Sequence, residues 1–222
     1  MTGIRPRSTV VVVGTGTEVG KTWVSARLLD RWRADGRTVA ARKPAQSFEP
    51  GDDLDGVTDA QLLGAASGED PQVVCPAARW YPVPMAPPIA ASVLGLPVFT
   101  VADLTAELAW PAGVDLGLVE TAGGLRSPQA DDGDAVALLG AVRPDVVLLV
   151  ADAGLGTINA VTLNVDALAT ASPHRRVIFL NRFDPEDELH RRNRAWLDDR
   201  LGLGVVTDLG ALADTIAGQS TG

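Results

Sequence analysis

The sequence predicts an α/β protein, a mostly parallel sheet flanked by helices on both faces, and three observations carry that prediction. Short apolar runs without polar alternation recur along the chain, stretches of helical spacing separate them, and a glycine-rich turn follows the first run directly. The runs are Thr9 to Val13, Thr38 to Ala41, Leu116 to Val119, Val146 to Ala151 and Val177 to Leu180. Each is too short for a helix and has the composition of a strand buried on both faces.

The helical stretches are Lys21 to Ala34, Thr58 to Ala66, Val101 to Ala109, Ile158 to Ala169, Pro185 to Leu201 and Leu209 to Ala217. Punctuation supports several of their ends. Asp35-Gly36 closes the first, Thr100 is placed to cap the helix beginning at Val101, and Pro185 suits a first helical turn. The segment Pro71 to Pro97 has little periodicity and holds six prolines from Pro76 onward. An ordered excursion over the strand ends, where α/β proteins build ligand sites, is expected there.

The totals narrow the function classes. No linker or change of composition divides the 222 residues, so a single domain spanning 1–222 is expected. The apolar runs are far shorter than the roughly 20 residues of a membrane span, and Met1 to Thr9 does not read as a secretory signal. A cytoplasmic location with no membrane contact follows as the expectation. The single cysteine, Cys75, has no disulfide partner within the chain, and His174 and His190 lie far from any zinc-binding spacing. A formal charge of −9 repels a phosphate backbone, and the basic stretch His190 to Arg194 is flanked by Glu186, Asp187, Glu188, Asp198 and Asp199, so nucleic acid is not an expected partner.

The chemistry centres on Gly14-Thr15-Gly16-Thr17-Glu18-Val19-Gly20-Lys21-Thr22, directly behind Val10 to Val13. Glycines let the backbone turn tightly and aim several N–H groups at one point, while the helix opening at Gly20 adds its positive end. Lys21 would bring a positive charge to the β and γ phosphates of a nucleotide, and the Thr22 hydroxyl is placed to ligate its magnesium ion. This is the phosphate-binding loop of a P-loop NTPase, one residue longer than the usual pattern because Thr15 stands where the first glycine should be.

Magnesium needs further hard oxygen ligands. Glu120 ends a buried strand and is followed by the turn Ala122-Gly123-Gly124, while Asp52, Asp53, Asp55 and Asp59 offer a second carboxylate among which composition does not choose. Lys43, ending the second strand before Pro44, would point toward the same rim.

Together these residues resemble the dethiobiotin synthetase family, in the wider group of P-loop proteins that includes partition ATPases and cobyrinate amide synthases. The likeness runs from Val10 to about Asp184. Its most specific element is the long loop Gly14 to Thr22, followed in family order by Lys43-Pro44 with Ser47, Thr58-Asp59-Ala60, Val119-Glu120 with Ala122-Gly123-Gly124, and Gly154-Leu155-Gly156-Thr157-Ile158-Asn159.

The resemblance implies an ATP-dependent ligase that closes a cyclic urea from 7,8-diaminononanoate and CO2 through a phosphorylated carbamate. It gives Lys21, Lys43, Thr17 and Ser47 to the reacting carbamate and phosphoryl groups, and Thr22, Asp59 and Glu120 to magnesium. Gly16, Thr17, Glu18, Val19, Gly20, Lys21, Thr22, Glu120, Gly123 and Asn181 would contact the nucleotide, Asn181 as reader of the adenine. It also implies a homodimer in which Gly154 to Asn159 lies near the substrate of the facing subunit.

Four positions depart from the family pattern: Phe48 where a glycine is usual, Pro88 for a histidine, Thr121 for the first glycine after the acid, and Ala160 for a histidine. All belong to segments that resemble substrate or interface elements, and Phe48 would narrow the carbamate pocket if its ring pointed inward. Two other readings share the loop. One is a paralogue acting on a different amine or carboxylate. The other is a nucleotide-switched partition ATPase, which the acidic balance and the absence of a second lysine early in the loop oppose.

Overall fold

The computed structural model describes residues 4–50, 57–171 and 175–218. Six strands form one parallel sheet in the order β10-β9-β8-β1-β5-β2. They are β1 (Ser8–Gly14), β2 (Val39–Arg42), β5 (Leu116–Glu120), β8 (Val146–Asp152), β9 (Arg175–Asn181) and the two-residue β10 (Val205–Val206). Two small pairs lie apart from it, β3 (Gln46–Ser47) with β4 (Trp80–Tyr81) and β6 (Pro128–Ala130) with β7 (Gly133–Asp134).

Side-chain alternation along the strands gives each face its own core. Val11, Val13, Leu149 and Leu180 face helices α4 (Pro87–Val93), α5 (Val101–Ala106), α6 (Ala135–Val142), α7 (Thr157–Ala171) and α8 (Glu188–Leu201). Val10, Val12, Leu148 and Phe179 face α1 (Lys21–Ala34), α2 (Asp59–Ser67), α3 (Pro71–Val74) and α9 (Leu209–Ala217), with the buried Trp32 of α1 donating through its indole N–H to Ala213 O at 3.3 Å. Helices thus cover both faces, which is the P-loop NTPase arrangement.

Several expected boundaries move. Helix α5 ends at Ala106 rather than Ala109, and α8 begins at Glu188 rather than Pro185 because the Asp187 carboxylate accepts from Leu189 N and His190 N, a stronger start signal than the proline two residues earlier. Helix α6 was not expected at all. The proline-rich excursion is ordered, holding α3, β4 and α4. Asp52, Asp53, Asp55 and His174 lie outside the described residues.

Because all six strands are parallel, Gly14, Arg42, Glu120, Asp152 and Asn181 end at one rim of the sheet. Chain order reverses about β1, which sits between β5 and β8, and in such sheets this is where a crevice opens.

Candidate active site

The loop from Gly14 to Lys21 crosses that rim, and its shape depends on missing side chains. Gly20 takes φ +87°, which a residue with a Cβ adopts only with strain, and the Asn181 amide fills the space where a Cβ would stand. A side chain at Gly14 would meet Gly16 O at 2.9 Å and the Lys21 stem at 3.0 Å. Opposite, the turn after Glu120 is joined to the loop by Leu125 N donating to Gly14 O at 3.0 Å, and Gly124 lies against Gly16.

Lys21 opens α1 almost fully buried, and its Nζ donates to Gly16 O at 3.1 Å. Burial, and secondly the Lys43 charge, push its ammonium down to about 8. The Thr22 hydroxyl lies 2.8 Å from both Asp59 Oδ1 and Glu120 Oε1. Having one proton, it donates to one carboxylate at a time and keeps lone pairs for a cation.

Lys43, one residue beyond β2, bridges the same acids, with Nζ 2.6 Å from Asp59 Oδ2 and 2.7 Å from Glu120 Oε1. Burial opposes its charge, but the two carboxylates outweigh burial and hold the ammonium above the ordinary lysine range. Asp59, whose side chain keeps 37% of its surface, is opposed by desolvation but held below the usual carboxylate range, chiefly by Lys43. Glu120 is fully buried, and its second oxygen accepts from Ser25 Oγ at 2.6 Å.

Lys21, Thr22, Lys43 and Asp59 line a cleft of about 430 Å³ together with Thr17, Glu18, Gln46, Ser47, Ala122, Gly123, Ser127 and the turn Pro84 to Pro87. A neighbouring cavity of about 620 Å³ is lined by Gly20, Trp23, Phe179, Asn181, Arg182, Phe183, Thr207, Asp208 and Leu209. Gly20 and Trp23 belong to both, so the cavities meet at the start of α1. Asn181 faces the second, where its Nδ2 donates to Val19 O at 3.0 Å.

The sequence-predicted residues Thr17, Glu18, Gly20, Lys21, Thr22, Lys43, Ser47, Asp59 and Gly123 thus share one cleft, with Glu120 buried behind it and Asn181 in the adjoining cavity. Gly16 contributes its carbonyl to Lys21, and Val19 offers its own to Asn181. Of the four departures, Phe48 does not narrow the cleft: its ring packs edge-on against Trp80 at 6.5 Å, and its N–H donates to Tyr81 O. Thr121 is buried with its hydroxyl donating to Val12 O at 3.2 Å, and Pro88 sits in the first turn of α4 behind the cleft-lining Pro87. Ala160 is half-buried in the first turn of α7.

Sequence reasoning missed Ser25, Gln46, Trp23 and Arg182. Arg182, at φ +57°, donates to Glu18 O at 2.9 Å and pairs with Asp152 at 2.8 Å, tying the end of β9 to the loop. Among the described residues no group of three or more His, Cys, Asp or Glu side chains is arranged to hold a metal ion, and none of the helices is long and apolar enough to cross a membrane.

Residues 8–216 match a family model described as an AAA domain. The ATP-dependent dethiobiotin synthetase of Haloferax mediterranei is 38% identical over 200 residues, covering 88% of this chain and 81% of that protein. The enzyme of the same name from Rhodococcus jostii is 36% identical over 220 residues, covering 97% of this chain and 91% of that protein. Among solved structures, the chloroplast FtsY of Physcomitrella patens superposes with a TM-score of 0.53 at 16% identity, over 96% of this chain and 65% of that one, a likeness of fold alone.

Proposed function

The chain belongs to the ATP-dependent dethiobiotin synthetase family, and we propose that it closes a cyclic urea from 7,8-diaminononanoate and CO2 at the expense of ATP. The single observation that carries this reading is the convergence of Lys21, Lys43, Thr22, Asp59 and Glu120 beside a second cavity that opens at the same helix start.

In this reading the triphosphate lies along the loop N–H groups, with Lys21 leaving Gly16 O for a phosphate oxygen. The base enters the second cavity, against Asn181 and Thr207 to Leu209. The carbamate formed from one amine and CO2 attacks the γ-phosphorus, and the bond to the β-phosphate oxygen breaks to release ADP. The second amine then attacks the carbonyl carbon, phosphate leaves, and the nitrogen gives up its proton as the ring closes. Little covalent help is needed from the protein, and electrostatic positioning does most of the work. Lys21 and Lys43 offset the developing charge, and Thr17 and Ser47 hydrogen-bond the carbamate end.

The residues present fit a magnesium ion arriving on the nucleotide. In the free protein the two lysines are balanced by two carboxylates, so a triphosphate brings more negative charge than the two lysines alone offset. One hydroxyl and two carboxylates suit an ion that keeps water and phosphate ligands. Thr22, Asp59 and Glu120 would hold it, and it would supply charge neutralisation at the phosphates.

A homodimer is part of the proposal. The loop before α7 supports it, because Leu155 is 92% exposed and Leu163 of the same helix 61% exposed. The test of the reaction is incubation with MgATP, ¹³C-bicarbonate and the diamine: the label is expected in the urea carbon of the product by mass spectrometry, and its absence while ATP binds counts against the reading.

A further inference from the structure

We propose that Gln46 is a substrate-binding residue of this cleft, donating its side-chain N–H to a carbamate oxygen beside Ser47; the proposal rests on the reaction proposed above. The amide of Gln46 is oriented by its own contact. Ala60 N lies 2.9 Å from Gln46 Oε1, and a backbone N–H requires an acceptor, so the oxygen must face α2 and the NH2 group must face away from it. That NH2 group has no partner, although Gln46 is only 2% exposed. The hydroxyl of the next residue, Ser47, is buried and unpartnered in the same way.

Both residues line the cleft that holds Lys21, Lys43 and Thr17. Buried polar groups are nearly always paired, and leaving a donor unmade inside a protein costs about as much as a lost hydrogen bond. Two adjacent residues of the cleft lining thus carry donors without partners, which a ligand that accepts hydrogen bonds would satisfy. A carbamate has two acceptor oxygens and no strong donor there, so its chemistry matches an NH2 and a hydroxyl opposite two ammonium groups. As the second amine attacks, charge collects on the carbonyl oxygen, and a donor already in place needs no reorganisation.

The residue also has a structural end, because Oε1 holds the first turn of α2, which carries Asp59. The two ends are separable. Gln46→Glu keeps an oxygen for Ala60 N and replaces the NH2 with an acceptor, while Gln46→Met removes both ends without adding charge.

The experiment measures cyclic-urea formation with varied diamine and bicarbonate in wild type, Gln46→Glu and Gln46→Met, with MgATP affinity and the melting temperature measured on the same samples. A lost hydrogen bond to a charged or developing oxyanion predicts a drop of about 10- to 100-fold in kcat/KM for the diamine in both variants, with MgATP affinity within about threefold of wild type in Gln46→Glu, which keeps the contact to Ala60 N. A kcat/KM near wild type in either folded variant overturns the proposal, as does a loss of MgATP affinity in Gln46→Glu that parallels its loss of turnover. If wild type itself forms no cyclic urea, the reaction reading fails and takes this assignment with it; if wild type is active and Gln46→Glu equals it, only the assignment of Gln46 fails.

Discussion

Lys43 Nζ lies 2.7 Å from Glu120 Oε1, a lysine just beyond β2 meeting a glutamate at the end of the adjacent β5. Both side chains are at most 3% exposed, so the pair is a buried charge contact between neighbouring strand ends. Removing one partner leaves the other charged, buried and short of a counter-ion. Lys43→Met is therefore expected to destabilise the free protein by about 3–5 kcal/mol, read from urea denaturation at neutral pH. A loss below about 1 kcal/mol, the range of a surface pair, would show that the contact is not closed to solvent in solution.

Lys21 predicts a pH dependence. Its ammonium is pushed down to about 8 from 10.5, first by burial and second by Lys43. For folding, the penalty of burying that charge is fully present below about 8 and fades as pH rises through 10.5. For binding, phosphate oxygens favour the charged form, so MgATP affinity is expected to fall by up to roughly tenfold per pH unit above about 8, with proton uptake on binding. Calorimetry near pH 8.5 in two buffers of different ionisation enthalpy reads that proton directly; equal heats in both would refute it. Lys43, held above the ordinary range, does not titrate in this window.

Gly20→Ala forces a Cβ into a position with φ +87° that the Asn181 amide already fills. The left-handed backbone alone costs about 1–2 kcal/mol, and displacement of Asn181 also removes its bond to Val19 O. Loss of stability above about 1 kcal/mol together with loss of nucleotide binding is expected. A variant that melts and binds like wild type would mean that the loop can take another path.

If the base enters the cavity at Asn181 and Trp23, as proposed, base recognition is separable from chemistry. Asn181→Ala is expected to raise the KM for ATP by roughly tenfold or more while kcat for the saturated enzyme changes by less than about threefold, the pattern of a contact kept from ground state to transition state. Trp23 is 48% exposed at the junction of the two cavities, so its fluorescence is expected to change on nucleotide binding. An unchanged KM for ATP in Asn181→Ala would place the base elsewhere.

Much of this site was legible in the sequence because the phosphate loop is continuous: strand, glycines, lysine and threonine follow one another, and local geometry does the rest. Glu120 was legible as an acid at the end of an apolar run. Ser25 was not, since a serine inside α1 looks like any helix residue and its partner Glu120 is 95 positions away. Gln46 was hidden for the same reason, its oriented amide depending on a helix turn 14 positions on. Asp59 could not be chosen from the nearby acids by composition; the structure sets it against Thr22 and Lys43, and Asp52, Asp53 and Asp55 lie outside the described residues. Helix α6 escaped because Ala135 to Val142 is apolar on every side, so periodicity has nothing to register.

The proposed function requires the cleft of Lys21, Lys43 and Asp59 to couple ATP cleavage to closure of a urea ring. Its most direct test is the rate of ADP release from MgATP with bicarbonate, measured with and without 7,8-diaminononanoate and matched against cyclic urea formed. Diamine-dependent ADP release with one urea per ADP is the result expected. ADP release that ignores the diamine, in a protein that binds ATP, would contradict it.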